Sequence, residues 1–209
     1  MELDQIIEAI GIEPYYREDA GVIYCADCMD ILPKIPAKSI DLVLTDPPYP
    51  NNANHFNENI KTAKKFISVF DCNHWFIFWD EMTEPPCNQP LVAKHIWHRT
   101  NTNRPDNYEM IYEYNSNNTK KASRAFPFPV IYPGLTGCFE ASGHPTQKNI
   151  KLLLALTNLT SDQIILDPFL GSGTTAVAAK QLGRQYIGIE ISEKYCEIAV
   201  QRLAQEILL

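Results

Sequence analysis

The stretch that decides the fold is QIILDPFLGSGTTAVAAKQL, residues 163–182. Its first residues, QIIL, predict a buried strand, and residues 174–182 predict a helix that Gly183 ends. A glycine-rich loop joins the end of the strand to the start of the helix. Residues 186–191 predict another strand, so this part of the chain has the strand–helix–strand order that is typical of a parallel α/β sheet.

The loop DPFLGSGTT, residues 167–175, has the features of a ligand-binding turn. Its glycines let the backbone approach a ligand, and free N–H groups at the helix start favour an anion such as a ligand carboxylate. Asp167 is placed to accept a hydrogen bond from a ligand ammonium, and Glu190 stands where such folds bind ribose hydroxyls. The alternative is a plain turn beside a solvated glutamate. Ala176 replaces the third glycine of a dinucleotide fingerprint, which weakens that interpretation.

A second motif, DPPY at residues 46–49, ends the apolar run that begins at Ile40. Its two prolines stiffen the turn and leave carbonyl oxygens free as acceptors. An exocyclic amino group has two N–H donors, which the Asp46 carboxylate and a proline carbonyl can accept. Tyr49 offers a face on which an extruded base can stack. Alone, the motif is equally compatible with a rigid turn that carries a surface tyrosine.

The whole pattern predicts a Rossmann-like, doubly wound α/β fold, with helices on both faces of a mostly parallel sheet. Several strands are continuously apolar, as strands that are buried on both faces are. Two irregular stretches, residues 50–59 and 115–143, are expected to be loops that are either functional or disordered, and both lie where a segment that contacts DNA could sit. Further strands are expected at residues 21–27, 40–46, 75–79, 92–98 and 108–114, and helices at residues 3–10, at 150–159 and from Glu193 onward.

Composition bounds the class of protein. With 209 residues, 45% hydrophobic and 21% charged, the chain fits one globular domain with a small insertion. It has no apolar run long enough to span a bilayer, and its acidic start is unlike an export signal, so a cytoplasmic location is expected. The six cysteines are expected to be reduced, and no metal site is predicted. The net charge is −7, but residues 91–130 carry six basic and three acidic side chains, which permits a local contact with phosphate.

Taken together, the motifs resemble the beta-group amino DNA methyltransferases. In that family the catalytic motif precedes the cofactor-binding motif, as it does here, and the target-recognition region lies between them. The resemblance implies S-adenosyl-L-methionine as cofactor, double-stranded DNA as partner, and methyl transfer to the exocyclic amine of a flipped base. It rests on DPPY at 46–49, HPTQKN at 144–149, DPFLGSGTT at 167–175 and GIEIS at 188–192, and it covers about residues 21–50 and 144–203.

The resemblance also implies the site residues. Within the cofactor set, residues 144–148 would pack over the methionine end and Asp27 would lie near the adenine. The alternative for His144 is a helix-capping segment. The catalytic pocket would comprise Asp46, Pro47, Pro48 and Tyr49. The cofactor would be bound by Asp27, His144, Thr146, Gln147, Lys148, Asp167, Phe169, Gly171, Ser172, Gly173, Thr174, Thr175 and Glu190.

The part of the chain between the catalytic and cofactor-binding motifs is expected to contact DNA. Residues 80–143 form the approximate target-recognition insertion, which is short for the family and leaves open a homodimer or a helper protein. Asn149 stands where the family usually has proline, with the preceding residues intact. The basic side chains predicted to line the DNA face are Lys61, Lys64, Lys65, Lys94, Arg99, Arg104, Lys120, Lys121 and Arg124.

Several alternatives stay open from the sequence. Adenine N6 is favoured over cytosine N4, because the cytosine subgroup more often has serine in place of Asp46. RNA and protein amide methyltransferases usually have the cofactor motif first, so the order found here argues against them. Intact Asp46, Tyr49, Asp167 and Glu190 argue against a non-catalytic binding module. The expected context is a restriction-modification system.

Overall fold

One twisted sheet organises the described part of the chain, which in this computed structural model comprises residues 1–48, 57–79, 84–100, 107–128 and 147–205. The strands of this part are β1 (Tyr16–Glu18), β2 (Gly21–Cys25), β3 (Leu42–Thr45), β4 (His74–Trp79), β5 (Leu91–Arg99), β6 (Tyr108–Asn115), β7 (Ala125–Phe128), β8 (Ile164–Asp167) and β9 (Gln185–Glu190). They lie in the order β1-β2-β9-β8-β3-β4-β6-β5-β7.

The centre of the sheet is parallel. Strands β2, β9, β8, β3 and β4 run in the same direction, whereas antiparallel pairs lie toward the edges, β1 with β2 and β6 with both β4 and β5. Every residue of β3 and β8 is buried, so both strands are covered on their two faces. The predicted mostly parallel α/β fold is confirmed.

Helices cover both faces of this sheet. They are α1 (Leu3–Ile10), α2 (Cys28–Ile31), α3 (Asn57–Val69), α4 (Ile150–Thr157), α5 (Thr174–Gln181) and α6 (Glu193–Ala204). Apolar side chains of α1, α2 and α3 form a core with one face, and those of α4, α5 and α6 form a core with the other. Along β3, Val43 points to the first core and Leu42 and Leu44 to the second, as the two-residue period of a strand requires. Within the described residues no helix is long and apolar enough to cross a membrane.

Four of these elements were not predicted, namely β1, α2, α3 and β7. Helix α3 begins inside the asparagine-rich stretch that was predicted to be a loop, and the burial of Ala63, Phe66 and Ile67 against the sheet stabilises it. Tertiary packing of such a face, rather than local propensity, stabilises most protein helices. Strand β7 lies within the stretch predicted to be irregular. Its sequence contains Pro127, which an edge strand tolerates because one side of the strand needs no backbone donor.

The range predicted as an insertion, residues 80–143, contributes β5, β6 and β7 to the main sheet. Strands β5 and β6 were both predicted, and they pair with each other antiparallel. This range therefore extends the sheet beyond β4 within the described residues. Its role in target recognition stays a prediction.

The order of the strands indicates where a ligand-binding site is expected. From β8 the chain passes through α5 to β9 on one side, and from β3 it passes through α3 to β4 on the other side. Helices α5 and α3 cover opposite faces. The order of the strands thus reverses between β8 and β3, which are hydrogen-bonded neighbours. Ligands of open α/β sheets bind outside the carboxyl ends of the strands at such a point.

Candidate active site

A cavity of about 370 Å³ opens at the carboxyl ends of β3 and β8. Its volume is within the range of about 300–1,000 Å³ that small-molecule sites have. Residues of the DPP motif and of the glycine loop both line it, so the tertiary structure brings the two predicted halves of the site together. The predicted residues on its wall are Asp27, Asp46, Pro48, Gln147, Lys148, Asp167, Phe169, Gly171, Ser172, Thr174, Thr175 and Glu190.

Asp167, buried at the end of β8, holds three neighbours in place. Its Oδ1 accepts hydrogen bonds from Thr45 Oγ1 at 2.9 Å and from the Phe169 N–H at 3.1 Å, and its Oδ2 accepts one from Thr175 Oγ1 at 2.7 Å. Burial raises the pKa of Asp167 to about 6, although these hydrogen bonds act in the opposite direction. A carboxylate has about four acceptor positions, so one remains for a ligand donor.

The glycine loop is shaped by its backbone and by one arginine. Gly171 and Gly173 have φ angles of 55° and 82°, in the left-handed region that favours glycine. A Cβ on Gly173 would lie 2.7 Å from the Cβ of Ala199, so α6 packs directly on the loop. Arg202 of α6 donates to the Ser172 carbonyl at 2.6 Å and to Thr174 Oγ1 at 2.9 Å. Since the N-cap of α5 is a glycine without a capping side chain, the first N–H groups of the helix are left for an anionic ligand.

Glu190 ends β9 on the cavity wall and connects two backbone segments. Its Oε2 accepts a hydrogen bond from the Gly171 N–H at 2.8 Å, and its Oε1 accepts one from the Ser192 N–H at 2.9 Å. Each oxygen keeps a further acceptor position, which is what binding of ribose hydroxyls requires. Asp27 lines the same cavity and caps α2, where its Oδ1 accepts from the Met29 N–H at 2.9 Å.

Asp46, the predicted catalytic acid, forms an ion pair with Lys148. Its Oδ2 lies 2.5 Å from Lys148 Nζ, which also lies 3.1 Å from Glu109 Oε1. Burial raises the pKa of Asp46 to about 6, while the Lys148 ammonium lowers it. Burial also opposes the charge on Lys148, but the carboxylates of Asp46 and Glu109 outweigh it and raise the pKa of Lys148 above its usual range. Lys148 is one of the residues predicted to bind the cofactor, and its ammonium lies between two carboxylates at the catalytic end of the cavity.

Two aromatic rings and a second cation, Arg99, also lie at the catalytic end of the cavity. Lys148 Nζ lies 4.9 Å from the centre of the Phe78 ring and 5.8 Å from that of Trp97. Arg99 donates to Glu109 Oε2 at 3.2 Å and stacks over Trp97 at 5.5 Å. Sequence reasoning missed Glu109, although a signal existed: Glu109 and Glu113 occupy the same face of a strand whose Ile111 is buried.

The basic residues predicted to contact DNA divide into two groups. Arg99 and Lys121 are ion-paired with the buried Glu109 and Glu113, and each neutralises a carboxylate inside the protein, while a DNA contact for these two residues stays a prediction. Others are exposed or bound at the surface: Lys94 pairs with Glu84, Lys120 donates to the Leu91 carbonyl, and Lys61, Lys64, Lys65 and Arg124 are exposed. A DNA contact for this second group stays a prediction.

Four predicted residues lie outside the described residues, namely Tyr49, His144, Thr146 and Arg104. Their predicted roles stay predictions. Pro47 is buried beside Asp46, where it stiffens the turn, and Gly173 shapes the loop through its φ angle. Thr45 was not predicted, because nothing in its local sequence distinguishes it from any strand threonine.

Comparison with known proteins agrees with this geometry. A family model described as DNA methylase, of the N6/N4 type, matches residues 50–201. The chain is 28% identical to the Type II methyltransferase M2.LlaDCHI of Lactococcus lactis subsp. cremoris, over 91% of this chain and 92% of that protein. It is also 28% identical to the Type II methyltransferase M2.DpnII of Streptococcus pneumoniae, over 93% of each.

Solved structures of low sequence identity share the fold. The PvuII DNA methyltransferase, described as cytosine-N4-specific, matches with a TM-score of 0.70 and 17% identity over 96% of this chain and 92% of that one. The M1.HpyAVI-SAM complex matches with a TM-score of 0.64 and 24% identity over 88% of this chain and 98% of that one. With the family match covering most of the sequence, and with both motifs meeting in one cavity, this chain belongs to the family of DNA methylases that act on N6 of adenine or N4 of cytosine.

Proposed function

We propose that this DNA amino-methyltransferase transfers a methyl group to N6 of an adenine that is flipped out of double-stranded DNA. The observation that carries the proposal is Asp46, which lies on the wall of the cavity at the end of β3 beside the cofactor strand. Among the proteins that the motifs resemble, those acting on cytosine N4 more often have serine at this position. Cytosine N4 remains the second candidate, because the fold is shared with a cytosine-N4-specific enzyme.

S-adenosyl-L-methionine is the methyl donor, and its sulfonium supplies a methyl group that is already activated for transfer. The residues present fit this cofactor along the length of the cavity. Glu190 keeps acceptor positions for the ribose hydroxyls, and the uncapped start of α5 suits the methionine carboxylate. Asp167 keeps one acceptor position for the ammonium.

The contribution of the chain to the reaction is mainly positioning and electrostatics. Asp46 accepts an N–H of the target amine, which turns the nitrogen lone pair toward the methyl donor. The nitrogen becomes acidic only as the new N–C bond forms and the C–S bond breaks. Asp46, with a pKa of about 6, then suits the role of acceptor for the released proton near neutral pH.

Double-stranded DNA is the substrate that the family implies, and the Type II methyltransferase relatives favour a restriction-modification context. Methylation of RNA or of a protein amide is disfavoured by the order of the motifs. A homodimer stays a prediction, and so does the cytoplasmic location.

The experiment combines labelled S-adenosylmethionine with double-stranded DNA, single-stranded DNA and RNA, followed by nucleoside analysis of each digest. We expect label in N6-methyladenine from double-stranded DNA. Asp46→Asn, which keeps the size of the side chain and removes its charge, is the matched control and should yield almost no product. Label in N4-methylcytosine would move the assignment to the second candidate. Label from RNA alone would overturn the DNA substrate.

A further inference from the structure

The ion pair at the catalytic end of the cavity sets a hydrogen-bond acceptor and a donor side by side. Asp46 Oδ2 and Lys148 Nζ are 2.5 Å apart, and both residues line the cavity together with Phe78. The side chain of Lys148 is 12% exposed and that of Asp46 is 27% exposed. A base whose exocyclic amine binds to Asp46 therefore also lies beside the ammonium of Lys148.

Lys148 is held so that it stays charged and oriented. Its second carboxylate partner, Glu109, is almost fully buried and is fixed on the other oxygen by Arg99 at 3.2 Å. A lysine ammonium has three N–H donors, and the hydrogen bonds of Lys148 to described residues use two of them. Because its pKa lies above the usual range, Lys148 acts as a donor and never as an acceptor at neutral pH.

The four bases differ in the group that lies beside their exocyclic substituent. Adenine has the N6 amine next to the N1 acceptor, and cytosine has the N4 amine next to the N3 acceptor. Guanine and thymine have a carbonyl oxygen next to a ring N–H, which is the reverse pattern. This edge is engaged in base pairing within the duplex, so an enzyme reads it only after the base is flipped out.

We propose that Lys148 donates its third N–H to the ring nitrogen beside the amine that Asp46 binds, and thereby selects amino bases against keto bases. A keto base would turn its carbonyl oxygen to the Asp46 carboxylate and its ring N–H to the ammonium, and both contacts are repulsive. Lys148 is thus a specificity-determining residue of the flipped-base pocket. This role rests on the proposed function, because it requires the target amine to lie on Asp46.

The competing role for Lys148 is to neutralise Asp46 without touching the base. Both roles predict that loss of the ammonium lowers the rate. Only the contact with the base predicts that the effect depends on the ring nitrogen of the substrate. A substrate analogue combined with a variant of Lys148 therefore separates the two roles.

Sequencing of methylated DNA first identifies the methylated position. The test then uses duplexes that carry adenine, 1-deazaadenine or 7-deazaadenine at this position. 1-Deazaadenine replaces N1 by C–H and keeps the amine, and 7-deazaadenine changes an atom away from this edge. The enzymes are the wild type, Lys148→Met, and Lys151→Met as the matched control. Lys151 is an exposed lysine in the first turn of α4. If cytosine is the methylated base, 3-deazacytosine takes the place of 1-deazaadenine.

We expect the wild type and Lys151→Met to lose about 10- to 100-fold in kcat/KM on 1-deazaadenine, the effect of a lost hydrogen bond to a charged group. Lys148→Met should be slower on adenine but should distinguish the two bases by less than about threefold. 7-Deazaadenine should affect all three enzymes equally. Weaker pairing of 1-deazaadenine eases extrusion, so a loss of rate with this base is not an effect of pairing.

Two outcomes overturn this role. One is a wild type that methylates 1-deazaadenine within about threefold of adenine, and the other is a Lys148→Met enzyme that discriminates as strongly as the wild type. If Lys148→Met does not fold, the wild-type measurement still overturns the role when 1-deazaadenine is methylated within about threefold of adenine. Failure of the proposed function looks different, because the wild type would then methylate no amine in any DNA.

Discussion

Thr45 at the end of β3 donates a 2.9 Å hydrogen bond to Asp167 at the end of β8, across 122 positions of the sequence. Both residues are buried. The backbones of the two strands share only two paired positions, which leaves their carboxyl ends to side-chain contacts. This bond therefore joins the strand that leads into Asp46 to the strand that leads into the glycine loop.

Thr45→Val should destabilise the protein and weaken cofactor binding together. The substitution keeps the shape of the side chain but takes a donor from a buried carboxylate, which costs about 1–3 kcal/mol in free energy of unfolding. Denaturant unfolding and calorimetric titration with S-adenosylmethionine measure the two effects. Thr45→Ser, which keeps the hydroxyl, is the control. A Thr45→Val protein as stable as the wild type would show that the bond contributes nothing.

Asp46→Ala should abolish methyl transfer and change cofactor affinity little, because Asp46 serves the target amine. A transition-state contact of this kind is worth about 10²-fold or more in rate. The check is single-turnover methylation alongside calorimetric binding of S-adenosylmethionine. More than about a tenth of the wild-type rate in the variant would refute the catalytic role.

Glu190→Ala should weaken binding of S-adenosylmethionine by about 1–3 kcal/mol, since the ribose hydroxyls and two backbone N–H groups lose their acceptor. Glu190→Gln keeps one acceptor oxygen and should lose less. Calorimetry at a fixed pH gives both dissociation constants. An unchanged dissociation constant in Glu190→Ala would remove Glu190 from the cofactor site.

Activity should fall as the pH drops below about 6. Asp46 and Asp167 each have a pKa of about 6, raised by burial, and both act as charged acceptors. Above this pH both are carboxylates, and below it each gains a proton and loses acceptor positions. A profile of kcat/KM between about pH 5 and pH 8 tests the methyl transfer, and cofactor titrations over the same range isolate Asp167. Constant activity down to about pH 5 would mean that neither group ionises near 6 in the working enzyme.

DNA binding should depend on the exposed basic residues. We expect a triple variant, Lys64→Gln, Lys65→Gln and Arg124→Gln, to weaken binding on all sequences and to flatten the slope of log K against log salt by about 2–3 units. Cofactor affinity should not change. The matched control neutralises three other exposed lysines, Lys34, Lys38 and Lys194. Equal slopes in the triple variant and the wild type would place the DNA face elsewhere.

The local sequence was enough to predict the elements whose buried residues follow a short-range pattern. The helix predicted at residues 3–10 is α1, with the same bounds, and Gly11 ends it with a φ of 62°. The strand–helix–strand unit at β8, α5 and β9 lies within one residue of its predicted bounds at every end. In α1 the buried residues recur on one face, and in β8 and β9 they form short continuous apolar runs, so the local sequence carries the information. Helix α3 and strand β7 depend on packing partners distant in the chain, and their local sequences resemble loops.

The sequence by itself determined the class of fold and the two motifs, because glycine and proline constrain the backbone in the same way in any surroundings. The charges around the catalytic acid were decided only by the tertiary structure. Lys148 meets Asp46 and Glu109 because three distant segments converge at the end of the sheet, and Arg99 turns inward because Glu109 is buried there. An ionic side chain binds whichever opposite charge is desolvated beside it, and that neighbour is a property of the folded chain.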